Sequence, residues 1–406
     1  MGDEREFKNL PEGWKWVRLG EVVIENPKSP FKVEDCDNFG NFPFFTSGDN
    51  VLRHSHFLVD EENLFIATGG KAKINYFYGK ASYSADTYSL KVKDLNTKYI
   101  FYTLLKDIEI IDYKFFSGSG LKHLQKDDFK GLSIPLPPLP EQQKIAEIFE
   151  TIDNAIEKTD KIIEKYKRIK QGLMQDLLTK GIDENGNIRN EKTHKFKDSP
   201  LGKIPEEWEV VRLGEVGEII SGSTPSTYND EYWNGEIVWI TPNDLSNIEN
   251  IFIENSSRKI TQKGLKSCST KIISANSVVV SSRAPIGYVK VSKVPFATNQ
   301  GCKSIEYNGK FSPIFLAFLL SNKVQDMINM GSGTTFQEIT KSNLAKILIP
   351  LPPLPEQQRI AEILSQIDQT IEKEQQYKEK LKRIKQGLME DLLTGKVRVN
   401  QLIKEA

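Results

Sequence analysis

An internal duplication covers most of this chain and constrains its fold more than any other feature. The segment IPLPPLPEQQKIAEIFETIDNAIEK at residues 134–158 recurs as IPLPPLPEQQRIAEILSQIDQTIEK at 349–373, with 19 of 25 positions identical. A second segment, KRIKQGLMQDLLT at 167–179, returns at 382–394, again 215 residues later. A repeat of this length indicates that one structural unit occurs twice in the chain.

The segments that enter each repeat are also similar, but the residues that follow them are not. PEGWKWVRLGEV at 11–22 returns as PEEWEVVRLGEV at 205–216, a displacement of only 194 residues, so the second copy is longer between its matched ends. Residues 23–96 and 217–311 share little beyond a strand-like pattern. Two similar frames therefore carry two different inserts.

Each frame is predicted to contain a long helix. Pro140 and Pro355 suit a first helical turn, and Glu141 and Glu356 follow them near the positive end of the helix dipole. Apolar residues then recur in alternating steps of three and four, which is the pattern of a coiled-coil seam. Each periodic segment would extend for nearly 60 Å at about 1.5 Å per residue. The alternative is a surface helix on one globular core.

The connectivity of the chain predicts how these helices pair. If the ends of each globular domain are close together, the second helix starts near the end of the first and runs antiparallel to it. We expect two globular domains held apart by two long antiparallel coiled-coil helices, with a pseudo-twofold internal repeat. The predicted order is a first globular domain at 1–139, a long helix at 140–181, a linker at 182–204, a second globular domain at 205–354, a long helix at 355–396 and a tail at 397–406.

The two inserts are predicted to be mixed α/β (α+β) structures. β-Rich runs at 63–69, 235–241 and 277–283 end at polar or glycine residues, whereas 97–106 and 312–320 carry apolar residues at helical spacing after plausible N-caps. Each globular domain should therefore be a small curved sheet with packed helices. Its polar loops are the natural place for function.

Composition excludes several classes of protein. The 55 lysines and arginines balance the 55 aspartates and glutamates, so any surface for an acidic partner must be local. Three scattered cysteines and four histidines lack the spacing of a zinc site or a disulfide framework. No apolar run approaches the ~18 residues of a membrane span. We expect a cytoplasmic chain that makes no contact with a membrane.

No catalytic motif is recognisable in the chain. The nearest approach to a phosphate-binding loop, Thr68 to Lys71, lacks the upstream glycine. The Gly-Ser-Gly tracts at 118–120 and 331–333 do not extend to a dinucleotide-binding motif. An adenine methyltransferase would need Asn or Asp before Pro-Pro-Tyr or Pro-Pro-Phe, but both Pro-Pro pairs here lie between leucines. We predict no catalytic residue and no metal site.

The duplicated motifs resemble those of the specificity (S) subunit of type I restriction-modification systems. The motifs that carry the resemblance are PLPPLPEQQ-I-A-E-I in both copies, KQGLM-x-DLLT, the two VRLGEV entries, SGSTPS at 221–226 and YWNGEIVWITPNDL at 232–245. In that family two target recognition domains each read one half of a split DNA site, and the paired helices set the spacer. The helices also dock two modification subunits.

The resemblance implies a non-catalytic reader of double-stranded DNA. S-adenosylmethionine would belong to the two modification subunits, which methylate adenine at N6. ATP and Mg²⁺ would likewise belong to partner subunits, among them two restriction (motor-nuclease) subunits, so this chain would bind no cofactor itself. Different inserts in similar frames then predict an asymmetric DNA target with two different half-sites.

Candidate DNA contacts lie on polar loops at corresponding places in the two globular domains. Those of the first domain are Thr46, Ser47, Lys71, Lys73, Lys122 and His123. Those of the second domain are Thr241, Asn243, Arg283, Asn299, Gln300, Gln337 and Lys341. Arg283 suits guanine, Asn299 and Gln300 suit adenine, and the lysines suit phosphate. The alternative for each is a solvated loop residue or, for Asn299, a turn-forming side chain.

Two other functions are compatible with parts of the pattern. A stand-alone methyltransferase would need cofactor motifs that this sequence lacks. A coiled-coil adaptor without sequence-specific DNA binding would have no need for two dissimilar inserts. The near-neutral charge is unusual for a DNA-binding protein, because phosphate contacts supply much of the affinity. Basic loops on one face and clamping charge from the modification subunits would account for it.

Overall fold

The computed structural model describes residues 10–37, 39–283, 285–331 and 337–403. The chain divides into two compact units. Unit 1 comprises Met1–Lys161 and Gln375–Ala406, and unit 2 comprises Ile162–Glu374. Each unit therefore combines one insert with a part of each long helix, and each is a mixed α/β (α+β) structure.

Unit 1 is built on a six-stranded sheet. The strands of unit 1, some of which lie outside this sheet, are β1 (Lys15–Arg18), β2 (Val23–Glu25), β3 (Phe42–Phe45), β4 (Leu52–His54), β5 (Val59–Ala67), β6 (Ile74–Tyr83), β7 (Thr87–Val92), β8 (Phe116–Ser117), β9 (His123–Leu124) and β10 (Ser133–Leu136). The sheet order is β2-β7-β5-β6-β3-β4, in which only β3 and β6 are parallel. The predicted strand at 63–69 is the end of β5. Strand β1 pairs with β10 outside this sheet.

Unit 2 repeats the central part of this sheet with different surroundings. Its strands are β11 (Phe196–Ser199), β12 (Gly202–Pro205), β13 (Glu209–Arg212), β14 (Ile219–Ser221), β15 (Trp233–Ile240), β16 (Phe252–Ile253), β17 (Lys259–Ile260), β18 (Val278–Ser281), β19 (Val289–Ser292), β20 (Phe296–Thr298), β21 (Cys302–Ile305) and β22 (Leu348–Leu351). The order β14-β21-β18-β19 corresponds to β2-β7-β5-β6 of unit 1. A second sheet, β17-β15-β20, repeats the pairing at the other end of the unit 1 sheet, where β3 is antiparallel to β4 and parallel to β6.

Short helices pack on these sheets. They are α1 (Leu19–Val22), α2 (Thr97–Lys106), α3 (Ile108–Phe115) and α4 (Lys126–Lys130) in unit 1, and α6 (Leu213–Val216), α7 (Pro242–Ser246), α8 (Gln262–Lys266), α9 (Pro313–Asn322), α10 (Val324–Asn329) and α11 (Lys341–Lys346) in unit 2. Asn96 caps α2 by accepting the Tyr99 amide at 2.9 Å, and Ser312 caps α9. The helices predicted at 97–106 and 312–320 are therefore confirmed.

The two long helices are α5 (Leu139–Leu177) and α12 (Leu354–Leu392), each of 39 residues. Both end four residues before the predicted boundaries at 181 and 396. The chain turns there toward Gly181 and Gly395, whose φ angles of +64° and +73° lie in the left-handed region that commonly ends a helix.

Within each unit, parts of α5 and α12 pair antiparallel. In unit 1, Lys385 Nζ lies 2.5 Å from Asp153 Oδ1, and Lys378 pairs with Asp160. Asp160 lies seven residues after Asp153 in α5, whereas Lys378 lies seven residues before Lys385 in α12, so the two helices run in opposite directions. In unit 2, Lys170 Nζ lies 2.5 Å from Asp368 Oδ1. Lys170, Lys378 and Lys385 therefore form ion pairs between α5 and α12.

A buried carboxylate at the start of α12 joins three chain segments of unit 2 by hydrogen bonds. Glu356, 9% exposed, accepts hydrogen bonds from Trp208 Nε1 at 3.1 Å and from the Ile182 amide at 2.9 Å. Arg189 binds both of its oxygens, at 2.5 and 3.2 Å. A Cβ on Gly181 would lie only 2.1 Å from Glu356 Oε1. Glycine is thus required by the space as well as by the backbone angle.

Unit 1 contains the equivalent arrangement at the start of α5. Trp14 Nε1 donates to Glu141 Oε2 at 3.1 Å, and Arg398 donates through Nε to the same oxygen at 3.0 Å and through Nη2 to the other. A Cβ on Gly395 would lie 2.5 Å from Pro11 Cγ. We call each of these sets of Trp, Glu and Arg a closing cluster. Glu141 and Glu356, which the sequence placed near the positive end of each helix dipole, therefore also accept several hydrogen bonds each.

The glutamine at the fourth position of each long helix is also buried and hydrogen-bonded. Gln142 donates to the Pro137 carbonyl at 2.8 Å and accepts the Asn96 amide at 3.1 Å. Gln357 does the same for the Pro352 carbonyl at 2.8 Å and the Ser312 amide at 2.9 Å. Each glutamine therefore ties the proline loop to the start of a helix that packs on the sheet. The repeated PLPEQQ motif encodes this junction.

The segment predicted as a linker, 182–204, folds as part of unit 2. Its last residues form the β11–β12 hairpin, and Ile182 and Ile204 are buried in the core of the unit. Composition alone suggested a polar connection, because the few apolar residues are separated by charged ones. In the part of the chain that the structure describes, no helix is long and apolar enough to cross a bilayer.

We expect Glu356→Gln to destabilise the chain by about 3 kcal/mol, because it leaves the Arg189 guanidinium largely buried without its opposite charge. Glu191→Gln is the matched control, since Glu191 pairs with Lys203 on the surface and its loss should cost less than ~1 kcal/mol. Urea-induced unfolding followed by circular dichroism measures both variants. Equal destabilisation by the two changes would contradict a structural role for the closing cluster.

Candidate nucleic-acid interface

Backbone hydrogen bonds bring the predicted loops of unit 1 together. The Leu124 amide donates to the Thr68 carbonyl at 3.0 Å, and the Gly70 amide donates to the Lys122 carbonyl at 2.9 Å. The Thr68 amide also donates to Ser47 Oγ at 3.1 Å. Three loops, which follow β3, β5 and β8 in the chain, therefore meet at one place.

Half of the predicted residues in unit 1 hold these loops in shape. The buried Thr46 accepts the Gly48 amide at 3.1 Å, and Ser47 donates to the Asp86 carbonyl at 2.5 Å. Lys73 Nζ donates to the carbonyls of Gly48 and Asp49, at 2.7 and 2.5 Å. The polar atoms of these three side chains are thus already engaged within the protein.

The other three predicted residues of unit 1 are exposed. Lys71, Lys122 and His123 all face solvent on the joined loops. Lys122 Nζ lies 3.6 Å from Asp112 Oδ2, and the same carboxylate accepts the Ala72 amide through Oδ1 at 2.6 Å. Asp112 therefore connects the two lysine-bearing loops. Two ammonium groups and one imidazole are available there to a ligand.

The predicted loops of unit 2 also meet. The Ile339 amide donates to the Ser282 carbonyl at 3.0 Å, the Ser282 amide donates to the Gly301 carbonyl at 2.8 Å, and the Asn299 amide donates to the Ile240 carbonyl at 3.0 Å. The segments that carry Thr241, Arg283, Asn299, Gln300 and Gln337 are thus adjacent. Lys341 begins α11 two residues beyond this contact and is exposed.

Several predicted side chains of unit 2 have internal partners. Thr241 caps α7 by accepting the Asp244 amide, and its hydroxyl also donates to Asp244 Oδ2 at 2.6 Å. Asn299 Oδ1 accepts the Gly301 amide at 2.9 Å, which is the turn-forming arrangement given above as its alternative. Gln300 Oε1 accepts from the Thr224 hydroxyl. Asn243, Gln337 and Lys341 are exposed.

Lys303 and Glu338 also belong to this place in unit 2, but the sequence patterns did not reveal them. Lys303 Nζ donates to the Gln300 carbonyl at 3.1 Å and to Ser282 Oγ at 3.3 Å, and it lies 3.4 Å from Glu338 Oε1. Arg283 Nη1 lies 3.9 Å from Glu338 Oε2. A signal for Glu338 existed, because it lies 215 residues after His123, the displacement of the long repeat.

The two units share one backbone arrangement at these loops. Gly69 faces His123 across an isolated antiparallel bridge in unit 1, and Arg283 faces Glu338 in unit 2. The next amide in each unit makes an equivalent hydrogen bond. Leu124 donates to the Thr68 carbonyl in unit 1, and Ile339 donates to the Ser282 carbonyl in unit 2. We call this arrangement the loop clasp. The backbone is therefore equivalent in the two units, whereas the side chains that it presents are not.

Protonation in unit 2 is shaped by burial and hydrogen bonding. Burial raises the pKa of the Asp244 carboxyl, but hydrogen bonds from Thr241 and Ser257 outweigh this effect and hold the pKa below its usual value. Burial raises the pKa of the Cys302 thiol, so the thiol stays protonated and unreactive. Asp244 is thus a fixed anion that supports the loop before α7.

The chemistry available at both loop clasps is hydrogen bonding and charge attraction. Among the described residues, no group of three or more His, Cys, Asp and Glu side chains is arranged to hold a metal ion. The exposed groups are ammonium, imidazole, guanidinium, amide and carboxylate, which are the groups that contact phosphates and base edges. Both clasps therefore suit recognition of a nucleic acid.

Comparison with known proteins gives the family. The family model described as "Type I restriction modification DNA specificity domain" matches residues 11–167 and again 205–383. The type I restriction enzyme MjaVIII specificity subunit of Methanocaldococcus jannaschii is 30% identical over 431 residues, covering 98% of this chain and 97% of that protein. The MjaIX specificity subunit of the same organism is 41% identical over 191 residues, which cover 47% of this chain and only 44% of that protein.

The fold is also that of a solved structure. The crystal structure of a type I restriction-modification system S subunit from M. genitalium superposes with a TM-score of 0.65 at 16% identity, covering 96% of this chain and 98% of that one. The two segments that the family model matches contain the two copies of the internal repeat. On these grounds the chain belongs to the family of specificity subunits of type I restriction-modification systems.

Proposed function

We propose that this chain reads an asymmetric, bipartite DNA site, with one half-site bound at the loop clasp of each unit. The observation that carries the proposal is the equivalence of the two clasps in backbone and their difference in side chains. Gly69 and His123 in one unit correspond to Arg283 and Glu338 in the other. Equivalent backbones would present two different sets of donors and acceptors to two different half-sites.

The proposed role is non-catalytic. Within the described residues, neither clasp holds a group of three or more His, Cys, Asp and Glu side chains arranged for a metal ion. Methylation of adenine at N6 would be carried out by two modification subunits with S-adenosylmethionine, docked on the repeated frame. DNA cleavage would require two further restriction subunits with ATP and Mg²⁺. The chain itself would bind DNA and these partners without a cofactor.

The long helices would set the distance between the half-sites. Both have 39 residues and the same PLPEQQ junction at the start, so they form a repeated element of fixed length. The DNA between the half-sites would then be a spacer that the protein does not read. A separation near one turn of DNA, about 34–36 Å, would present both half-sites on one face of the duplex.

Single-residue changes should alter one half-site at a time. We expect His123→Ala to relax one half-site and Arg283→Ala to relax the other, because each lost base contact removes about 1–3 kcal/mol of discrimination. The measurement is single-molecule sequencing of methylated DNA from cells that express the full-length chain with the modification subunit of its system. Changes by both variants in the same half-site would contradict the proposal. The absence of any preferred sequence would favour a coiled-coil adaptor.

Lengthening the helices should change only the spacer. Insertion of four residues, about one turn and ~5–6 Å, at equivalent positions of α5 and α12 should lengthen the tolerated spacer by about one to two base pairs. The same methylation mapping reads the result. A matched control inserts four residues into the exposed β11–β12 turn. Altered bases in either half-site after the helix insertion would be incompatible with a spacer role.

The exposed lysines of unit 1 should contribute to affinity without reading sequence. Replacement of both Lys71 and Lys122 by Gln should reduce the slope of log K against log salt by about 2, near 0.9 per phosphate contact, while the half-sites stay the same. Filter binding of the assembled complex at several salt concentrations gives the slope. Lys203→Gln, in the β11–β12 hairpin, is the control. An unchanged slope in the double variant would remove these lysines from the phosphate contacts.

A further inference from the structure

Glu338 and Arg283 form a charged pair at the loop clasp of unit 2. The two residues face each other on adjacent backbone segments, and Arg283 Nη1 lies 3.9 Å from Glu338 Oε2. That distance is beyond a hydrogen bond, so neither group is saturated by the other. Their side chains are 37% and 38% exposed. An exposed pair of this kind contributes little to stability, which leaves both groups free for another role.

Lys303 fixes the position of Glu338 from the protein interior. Its ammonium is almost fully buried, lies 3.4 Å from Glu338 Oε1 and donates to Gln300 and Ser282 on the two neighbouring segments. The carboxylate therefore has one oxygen directed to the interior and one directed to Arg283. The buried charge of Lys303 also compensates that of Glu338. A carboxylate at this point would consequently repel DNA phosphates only weakly.

The pair has a defined order of donors and acceptors. A guanidinium carries only donors, and an ionised carboxylate only acceptors. In the major groove a G·C pair presents two acceptors on guanine, N7 and O6, followed by the N4 donor of cytosine. An A·T pair presents acceptor, donor and acceptor in the same order. Two donors from Arg283 next to an acceptor from Glu338 match the acceptor–acceptor–donor order of the G·C pair, whereas an A·T pair offers an acceptor to only one of these donors beside its N6 donor.

We propose that Arg283 and Glu338 together read one G·C base pair in the half-site bound by unit 2, with Arg283 on guanine and Glu338 on the N4 amino group of cytosine. This assignment rests on the proposed function. It makes Glu338 a specificity-determining residue. Unit 1 presents Gly69 and His123 at the corresponding positions, so this reading belongs to only one of the two half-sites.

The test removes the N4 amino group from DNA. Duplexes that carry the mapped site are prepared with 2-pyrimidinone in place of each cytosine of the unit 2 half-site in turn. That half-site is the one which Arg283→Ala alters. Binding is measured with the full-length chain assembled with its modification subunits. The wild-type complex should lose about tenfold or more in affinity at one cytosine, since a good base contact contributes discrimination of that order.

The Glu338→Gln variant then connects this loss to the carboxylate. Gln keeps the shape and one oxygen for Lys303, but it places a donor where an acceptor is needed. The variant should bind the normal and the substituted duplex within about twofold of each other at that cytosine. Glu254→Gln removes the same charge from an exposed pair with Lys293 and should keep the wild-type difference. An unchanged unit 1 half-site shows that the variant is folded.

Three results would overturn the inference. They are a unit 2 half-site without a G·C pair, a wild-type complex that tolerates removal of N4 at every cytosine of that half-site, and a Glu338→Gln variant that keeps the wild-type difference. The first two need no Glu338 variant, so they decide the question even if the Glu338→Gln substitution prevents folding. A wild-type complex that prefers no sequence at all would overturn the proposed function itself, and this inference with it.

Discussion

The buried glutamate at the start of each long helix is the contact on which the architecture of each unit depends. In unit 2, Glu356 receives donors from the strand entry at Trp208 and from the segment after α5 at Arg189. Glu141 has the same relation to Trp14 and Arg398 in unit 1. A carboxylate this deeply buried must be paired, because an uncompensated charge in the interior costs several kcal/mol. Each closing cluster therefore specifies which chain segments meet at the beginning of a long helix.

This dependence explains why the frames are alike and the inserts are not. Tryptophan, glutamate and glutamine of the frame are bonded to one another or to backbone groups at fixed distances, so few substitutions would preserve the junction. At the clasp itself, the loops of the inserts are joined by backbone hydrogen bonds, which do not depend on the side chains at the bridged positions. Different side chains at positions 69, 123, 283 and 338 leave that backbone unchanged. Recognition can thus vary without disturbing the helices.

Much of the fold follows from the sequence because its signals are local and repeated. The long helices, the caps at Asn96 and Ser312, and the strands at 63–69, 235–241 and 277–283 all have a periodic or capping signature. The folded segment at 182–204 has none, because its structure depends on Ile182 and Arg189 meeting groups that are distant in sequence. The order of strands in the sheets is likewise a long-range property. It could not be read from alternating patterns.

The candidate site was predictable only as a set of loops. The sequence indicated which loops carry polar residues, and the structure brings most of them together in each unit. The direction of each side chain was not predictable, since it depends on which partner lies nearest after folding. Thr46 and Asn299 are bonded inside their loops, whereas Lys71 and Lys122 are exposed. The displacement of 215 residues from His123 was a sequence signal for Glu338, but its pairing with Arg283 is a property of the folded chain.

Lysines of the inserts show why overall charge says little about a DNA-binding surface in this chain. Lys73 binds the carbonyls of Gly48 and Asp49, and Lys303 connects three loop segments. Lys290 donates to two carbonyls of the loop at 248–250, and burial lowers its pKa to about 8. These ammonium groups brace loops and are not available to phosphates. Under the proposed function, the cationic surface offered to DNA would be smaller than the lysine count suggests, and charge from partner subunits would contribute more of the affinity.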